Sequence, residues 1–186
     1  MSSDEFVVTP WHVEGDIDYD KLIKQFGTQK ISNEILTKLQ KTTGEDHFML
    51  RRGIFFSHRD LNLILDNHEK GKDFFLYTGR GPSGHTHIGH LVPWVFAKWL
   101  QDKFGAKMYF QLTDDEKFWT KQDMTLEKTS NFALENALDF IALGFKPENT
   151  KIIIDTKKHK DIISNCRRGC KENKFFKYKG SFWVSK

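Results

Sequence analysis

Two rhythms of apolar and polar positions divide the 186-residue chain. Through residues 1–72 the apolar positions form short helical groups joined by loops. Leu22, Ile23 and Phe26 fall on one face of residues 19–26, and Ile35, Leu36 and Leu39 on one face of residues 31–39. Ser57-His58-Arg59-Asp60 has the spacing of a capping box with Asp in place of Glu. It predicts a helix carrying Leu61, Leu63, Ile64 and Leu65 that stops near Gly71. Then the rhythm changes. Phe74-Phe75-Leu76-Tyr77 is a short apolar run ended by Thr78-Gly79, which predicts a buried strand. From His87 the spacing turns helical through Val92, Val95, Phe96, Trp99, Leu100 and Phe104 to a stop at Gly105, with Pro93 tolerable in the opening turn. Residues 108–112 predict a second strand. Residues 126–143 predict a second helix with Ala133, Ala137, Phe140 and Ile141 along one side, and residues 152–154 a third strand.

Strand, helix, strand, helix, strand with short connections predicts parallel pairing through right-handed crossovers. The expected fold class is α/β, a Rossmann-like parallel-sheet nucleotide-binding domain whose first part is residues 73–156. A mainly helical N-terminal extension, residues 1–72, precedes it, and a basic tail, residues 157–186, follows. Such sheets bind ligands at the carboxyl ends of their strands. Both polar clusters of the domain, residues 79–90 and 111–117, start at such an end.

The segment from Gly79-Arg80-Gly81 to Gly84 joins the first strand to its helix. Glycines let the backbone approach a ligand, and the helix N-terminus behind them offers unpaired N–H groups suited to phosphate. Two chemical readings compete. Gly79, Gly81 and Gly84 spell the dinucleotide fingerprint G-x-G-x-x-G, which wants an acid about 20 residues on, at the end of the next strand. Here that strand ends at Asp114, well beyond. The other reading is His87-Ile88-Gly89-His90: two imidazoles beside a phosphate cradle, with Gly89 leaving room for a flat adenine. Imidazole N–H donors can hold charge that develops on phosphate oxygens when a carboxylate attacks the α-phosphate, and donors that bind the transition state best accelerate the step. A blander reading makes them surface or capping histidines. Equally, Tyr77 reads as plain core and residues 114–116 as a solvated acidic turn.

The motifs in sequence narrow these choices. Thr86-His87-Ile88-Gly89-His90 resembles the signature of class I aminoacyl-tRNA synthetases, the HIGH-type nucleotide-binding fold. The runs LYTGRGPSGHTHIGHLVPWVFAKWLQDKFG and QLTDDEKFW, with TPWHVEGDIDYDKLIKQFG and HFMLRRGIFFSHRDLN upstream, resemble the tryptophan-specific family of the eukaryotic/archaeal branch over residues 6–156. The resemblance implies ATP-dependent activation of tryptophan and its transfer to tRNA, with ATP and Mg2+ required and a homodimer expected of the family. It implies that His87 and His90 are catalytic, that Gly79, Arg80, Gly81, His87, Gly89 and His90 bind ATP, and that Tyr77, Gln111 and Glu116 bind tryptophan. No protein metal ligands are implied. An indole N–H buried without an acceptor costs about 1–3 kcal/mol, so a site built around that donor rejects phenylalanine-like side chains. Residues 7–13 around Trp11 resemble a strand hairpin that the family lays over its active site. Residues 83–86 depart from the family pattern by one residue. The tyrosine-specific family, a small adenylyltransferase and a non-catalytic RNA- or protein-binding fragment stand as alternatives.

Composition changes little. The net charge of +4 is concentrated after residue 156, and Arg51, Arg52 and Lys117 read as solvated charge or RNA contacts. Cys166 and Cys170 make neither a disulfide framework nor a four-ligand zinc site. No apolar run reaches the roughly 18 residues of a membrane helix. The N-terminus lacks a secretion-signal layout, so the cytoplasm is the expected compartment. The resemblance stops near Asp155. Read one base forward through permissible codons, residues 164–185 match the family's next helix and strand. The tail is therefore expected to be out of frame, and this chain incomplete and poorly active, with a genuine basic tail as the rival reading.

Overall fold

In the computed structural model, which describes residues 7–8, 13–14 and 18–158, the chain divides into two units, residues 1–74 and 75–186. The first is built of short pieces because polar caps recur every few residues. Strands β1 (Val7–Val8) and β2 (Val13–Glu14) pair antiparallel, Val8 opposite Val13. The turn between them, with Trp11, lies outside the described residues. Helix α1 (Tyr19–Phe26) starts where the Asp18 carboxylate accepts from the Asp20 and Lys21 N–H groups at 3.0 and 3.1 Å, and stops at Gly27 in the left-handed region. Strand β3 (Gln29–Lys30) leads into α2 (Asn33–Thr43), capped by Ser32 and ended by Gly44. His47 caps α3 (Phe48–Arg51) through Nδ1, which accepts from the Met49 N–H at 3.3 Å.

Strand β4 (Ser57–His58) pairs antiparallel with β3 and precedes α4 (Leu61–Glu69). The capping-box reading of residues 57–60 is corrected here. Pairing with β3 holds Ser57 in a strand, Asp60 takes φ 58° with no side-chain cap, and the Leu61 N–H is accepted by His58 Nδ1 at 3.2 Å. Of the four apolar residues at the start of α4 only Leu65 is buried.

The second unit alternates as the sequence predicts: β5 (Phe75–Arg80), α5 (Ile88–Phe104), β6 (Lys107–Leu112), α6 (Asp114–Thr120), α7 (Leu126–Ala142), a 3-10 turn at Pro147–Asn149, β7 (Thr150–Ile154) and α8 (Asp155–Lys158). The sheet order is β5-β6-β7, all parallel, with Gly79 opposite Gln111 and Gln111 opposite Ile153. This is the parallel sheet of a Rossmann-like α/β fold. Alternation along β6 sends Met108, Phe110 and Leu112 into a core with Trp94 of α5, Ala133, Ala137 and Phe140 of α7, and Phe145. Phe140 is stacked between Phe110 and Phe145, with ring centroids 3.8 and 4.0 Å away, and meets Trp94 edge-on.

Two expectations are adjusted by the packing. β5 is a border strand of this sheet, so Phe75 and Tyr77 on its outer alternation are about two-thirds exposed rather than buried. Ile141 points away from the core, because a helix turn of 3.6 residues carries it past Phe140 and Ala137. On α5 the two fully buried positions are Trp94 and Gln101. Gln101 Nε2 donates to Thr150 Oγ1 at 2.9 Å and its Oε1 accepts from the Lys146 N–H at 3.0 Å, which pins the entry of β7.

Candidate active site

The sequence-assigned site residues all lie in the second unit, on β5, in the turn behind it, at the start of α5, or on β6 and α6. The turn is held from within. Arg80 ends β5 and folds its guanidinium back over the turn. Nη1 donates to Thr86 Oγ1 at 3.0 Å, and Nη2 to the carbonyls of Gly84 and His85 at 3.0 and 2.8 Å. Asn136, fully buried on α7, donates to the same Gly84 carbonyl at 3.2 Å. Burial weighs against the Arg80 charge, and Asp139 favours it. The Arg80 head group is thus engaged with the loop.

His87 and His90 close the turn. His87 is the N-cap of α5: its Nδ1 accepts from the Gly89 N–H at 3.2 Å, while His90 Nδ1 accepts from the His87 N–H at 3.2 Å. The rings lie 3.7 Å apart. Capping and chemistry are compatible. With each Nδ1 used as an acceptor, the neutral tautomer of each ring carries its proton on Nε2, so each histidine keeps one donor. Burial, then the neighbouring Arg80 and His87, hold the His90 pKa below that of an ordinary imidazole, which favours this neutral form. Gly89 makes room first for the His87 ring: a β-carbon there would lie 3.1 Å from Cε1.

The other two glycines differ in what confines them. A β-carbon on Gly79 would lie 2.6 Å from the Gln111 backbone carbonyl oxygen, whereas one on Gly81 would strike Lys117 Cε at 2.0 Å. Backbone in a sheet cannot yield and a lysine end can. Gly79→Ala is therefore expected to cost about 1–3 kcal/mol by forcing β5 from β6. Gly81→Ala should cost under about 0.5 kcal/mol while displacing Lys117. Urea midpoints of the two variants check this.

Tyr77 and Gln111 are brought together. The Tyr77 hydroxyl donates to Gln111 Oε1, and Gln111 Nε2 donates to both carboxylate oxygens of Asp155 at 2.9 Å each. Glu116 is hydrogen-bonded to other residues. Its half-exposed carboxylate accepts from Thr113 Oγ1 at 3.0 Å and from Lys117 Nζ at 3.1 Å. Nor are residues 114–116 a solvated turn: they open α6, and Asp114 is fully buried. Asp114 accepts from the Thr156 N–H at 3.0 Å, from the Thr156 hydroxyl and from Ser130 Oγ at 3.4 Å, tying α6, α7 and α8 together. Burial, reinforced by the Asp114 and Glu116 charges, raises the Asp115 pKa above the usual carboxylate range.

Residues 69–164 match the family model of tRNA synthetases class I (W and Y). The chain belongs to that family. Among curated relatives, the tryptophan--tRNA ligase of Saccharolobus solfataricus is 56% identical over 153 residues, 82% of this chain and 40% of its own. That of Pyrobaculum aerophilum is 50% identical over 179 residues, 96% of this chain and 48% of its own. Among solved structures, tryptophanyl-tRNA synthetase from Trypanosoma brucei matches with TM-score 0.71 and 46% identity, over 83% of this chain and 46% of that one. The Encephalitozoon cuniculi tryptophanyl-tRNA synthetase bound to tryptophan matches with TM-score 0.73 and 41% identity, over 85% and 47%. The chain thus spans less than half the length of these relatives.

For this class I synthetase chain, three site-region residues escaped the sequence reading, Asn136, Asp155 and Thr156, while Asp114 was read as solvated rather than buried. Asp155 follows a strand directly, so the same carboxyl-end rule that singled out residues 79–90 also reaches it. Asn136 shows no such sign, being one polar residue among several on α7.

Two of the capping histidines, His47 and His90, are expected to make this synthetase chain acid-sensitive. The His47 and His90 pKa values are both held below that of an ordinary imidazole, chiefly by burial. A depressed folded pKa contributes stability that is present above the unfolded value of about 6.5 and is lost as pH falls through the folded one. Stability is therefore expected to fall between pH 7 and pH 5 as each Nδ1 gains a proton and ceases to accept. His90→Gln, a non-titrating acceptor at the same capping position, should flatten part of that loss in urea titrations.

Proposed function

We propose that this chain supplies the histidine-and-glycine part of the ATP site and one wall of the amino-acid pocket of a tryptophan–tRNA ligase. In that reaction a carboxylate oxygen of tryptophan bonds to the α-phosphorus of ATP as the bond to pyrophosphate breaks. The 3′-terminal adenosine of tRNA then takes the aminoacyl group and releases AMP. The observation that carries the reading is the double-histidine cap of α5 lying behind an Arg80-held glycine turn, in a chain 56% identical over 153 residues to a tryptophan--tRNA ligase.

In this reading His87 and His90 direct Nε2–H donors at phosphate oxygens, where charge builds as pyrophosphate departs. Gly79, Gly81 and Gly89 admit the Gln111 backbone, the end of Lys117 and the His87 ring close beside the nucleotide's place, and Arg80 holds the loop in shape. Tyr77, Gln111 and Glu116 hold tryptophan. Among the described residues no three His, Cys, Asp or Glu converge as a metal site. Magnesium of this family would travel on the nucleotide phosphates. No described helix is long and apolar enough to cross a membrane. A cytoplasmic location, tRNA as partner, homodimerisation and an out-of-frame segment after residue 157 belong to the same proposal. Sequencing the transcript across codons 150–190 tests the last of these.

Equilibrium dialysis of the purified chain against tryptophan and tyrosine tests the central assignment. Tryptophan is expected to bind at least about tenfold more tightly, a difference of about 1.4 kcal/mol. Equal or inverted preference would move the assignment to tyrosine.

A further inference from the structure

We infer that Asp155 is a positioning residue that fixes which end of the Gln111 amide faces Tyr77, and so sets the amino-acid pocket to receive an N–H donor. The inference rests on the tryptophan-pocket reading of Tyr77 and Gln111. A glutamine amide has two nearly isosteric ends, an acceptor oxygen and a donor NH2, and a flip exchanges them. In isolation Tyr77 cannot choose between them, because a phenol both donates and accepts. Asp155 can choose, because an ionised carboxylate only accepts. It takes Gln111 Nε2 at 2.9 Å on each of its two oxygens, which leaves Oε1 to meet the Tyr77 hydroxyl.

Asp155 is well placed for this. It is buried, whereas Tyr77 is largely exposed, so the polar chain runs from the interior outward. Gln111 and Asp155 stand on neighbouring strands, at or just past their carboxyl ends, with Gln111 opposite Ile153. Thr156, the next residue, is bonded to buried Asp114 through both its N–H and its hydroxyl, which fixes the backbone that carries Asp155. The outcome is two oxygens, Tyr77 Oη and Gln111 Oε1, side by side on the open face of the sheet. Such a pair suits a donor N–H of the ligand. A tryptophan has two candidates, the α-ammonium and the indole N–H. With the amide released, its NH2 could turn to the same place and repel either.

The test compares three ligands on the full chain and on Asp155→Asn: tryptophan, indole-3-propionate (no α-ammonium) and 3-benzothienylalanine (no indole N–H). Asparagine can satisfy the Gln111 amide in either orientation, so the lock is lost at nearly constant volume. Tryptophan affinity is expected to fall about tenfold, with exactly one analogue unaffected. An unaffected indole-3-propionate identifies the ammonium as the donor received, and an unaffected benzothienylalanine identifies the indole N–H. Asp155→Glu, which keeps a carboxylate, should recover most of the affinity. Equal loss for all three ligands, as a merely structural role would give, or no loss at all, overturns the inference. The 15N side-chain amide resonances of Gln111 separate the two layers of the claim. They should be slow to exchange in the wild type and lose that protection in Asp155→Asn. If the wild type binds none of the ligands, the pocket reading fails, and unchanged Gln111 resonances in the variant would overturn the lock as well.

Discussion

Phe140→Ala is expected to destabilise the second unit by about 3–5 kcal/mol, the range for removing a fully buried aromatic side chain from a core that cannot collapse into the space. Phe140 has no solvent exposure. It is stacked on Phe110 at 3.8 Å and on Phe145 at 4.0 Å, with Trp94 against its edge at 5.7 Å between centroids. These neighbours come from β6, from the segment after α7 and from α5, so no single side-chain rotation fills the void. A domain stability of 5–15 kcal/mol is typical, and the loss removes a large share of it. Leu138, two residues earlier on α7 and two-thirds exposed, supplies the control: Leu138→Ala should change stability by less than about 0.5 kcal/mol. Urea denaturation followed by tryptophan fluorescence distinguishes the pair.

Arg80→Met is the second large expectation, and its main effect falls on the loop. The substitution keeps an unbranched apolar stem and removes the donors to Gly84 O, His85 O and Thr86 Oγ1. Hydrogen bonds from a charged donor are each worth about 1.5–3 kcal/mol, but exposed acceptors recover part of that from water, so a net loss of about 2–3 kcal/mol is expected. Nucleotide affinity should fall more than global stability indicates, because the turn that ends at His87 loses its internal support while Asn136 still holds Gly84. Isothermal titration with ATP, set beside urea midpoints, reads the two effects separately. Arg80→Lys should rescue little, since an ammonium on a single stem cannot span three acceptors as a planar fork does. A variant that keeps wild-type nucleotide affinity would show that the loop holds its shape without Arg80.

How far the sequence reached is clearest residue by residue. The parallel sheet was legible because short apolar runs alternated with helical spacing, and Gly105 stopped α5 in the left-handed region where a glycine is favoured. His87, Gly89 and His90 were legible because their chemistry is packed into four adjacent residues. What the spacing could not give was the result of long-range pairing. Ser57 looked like a cap until its strand partner at Lys30 claimed it. Phe75 and Tyr77 looked buried because an apolar run does not tell which strand ends a sheet. Asp114 looked solvated because the Thr156 groups that bury and satisfy it lie 42 residues further on. Gln111 was legible through its motif, yet the partner that orients it, Asp155, is 44 residues away.

The parallel order of β5, β6 and β7 also bears on how the site comes into being. Parallel neighbours cannot zip together from a tight hairpin, and each pairing must wait for an intervening helix to return the chain. The loop held by Arg80 could take shape early, but the Gln111 and Asp114 networks are completed only by residues 155 and 156. At synthesis rates of about 5–20 residues per second, the 76 residues between Arg80 and Thr156 take about 4–15 s to make. During that interval the nascent chain carries the Arg80-held turn while the Gln111 and Asp114 networks beside it are unfinished. The polar network around Gln111 is therefore later to mature than the turn that Arg80 holds.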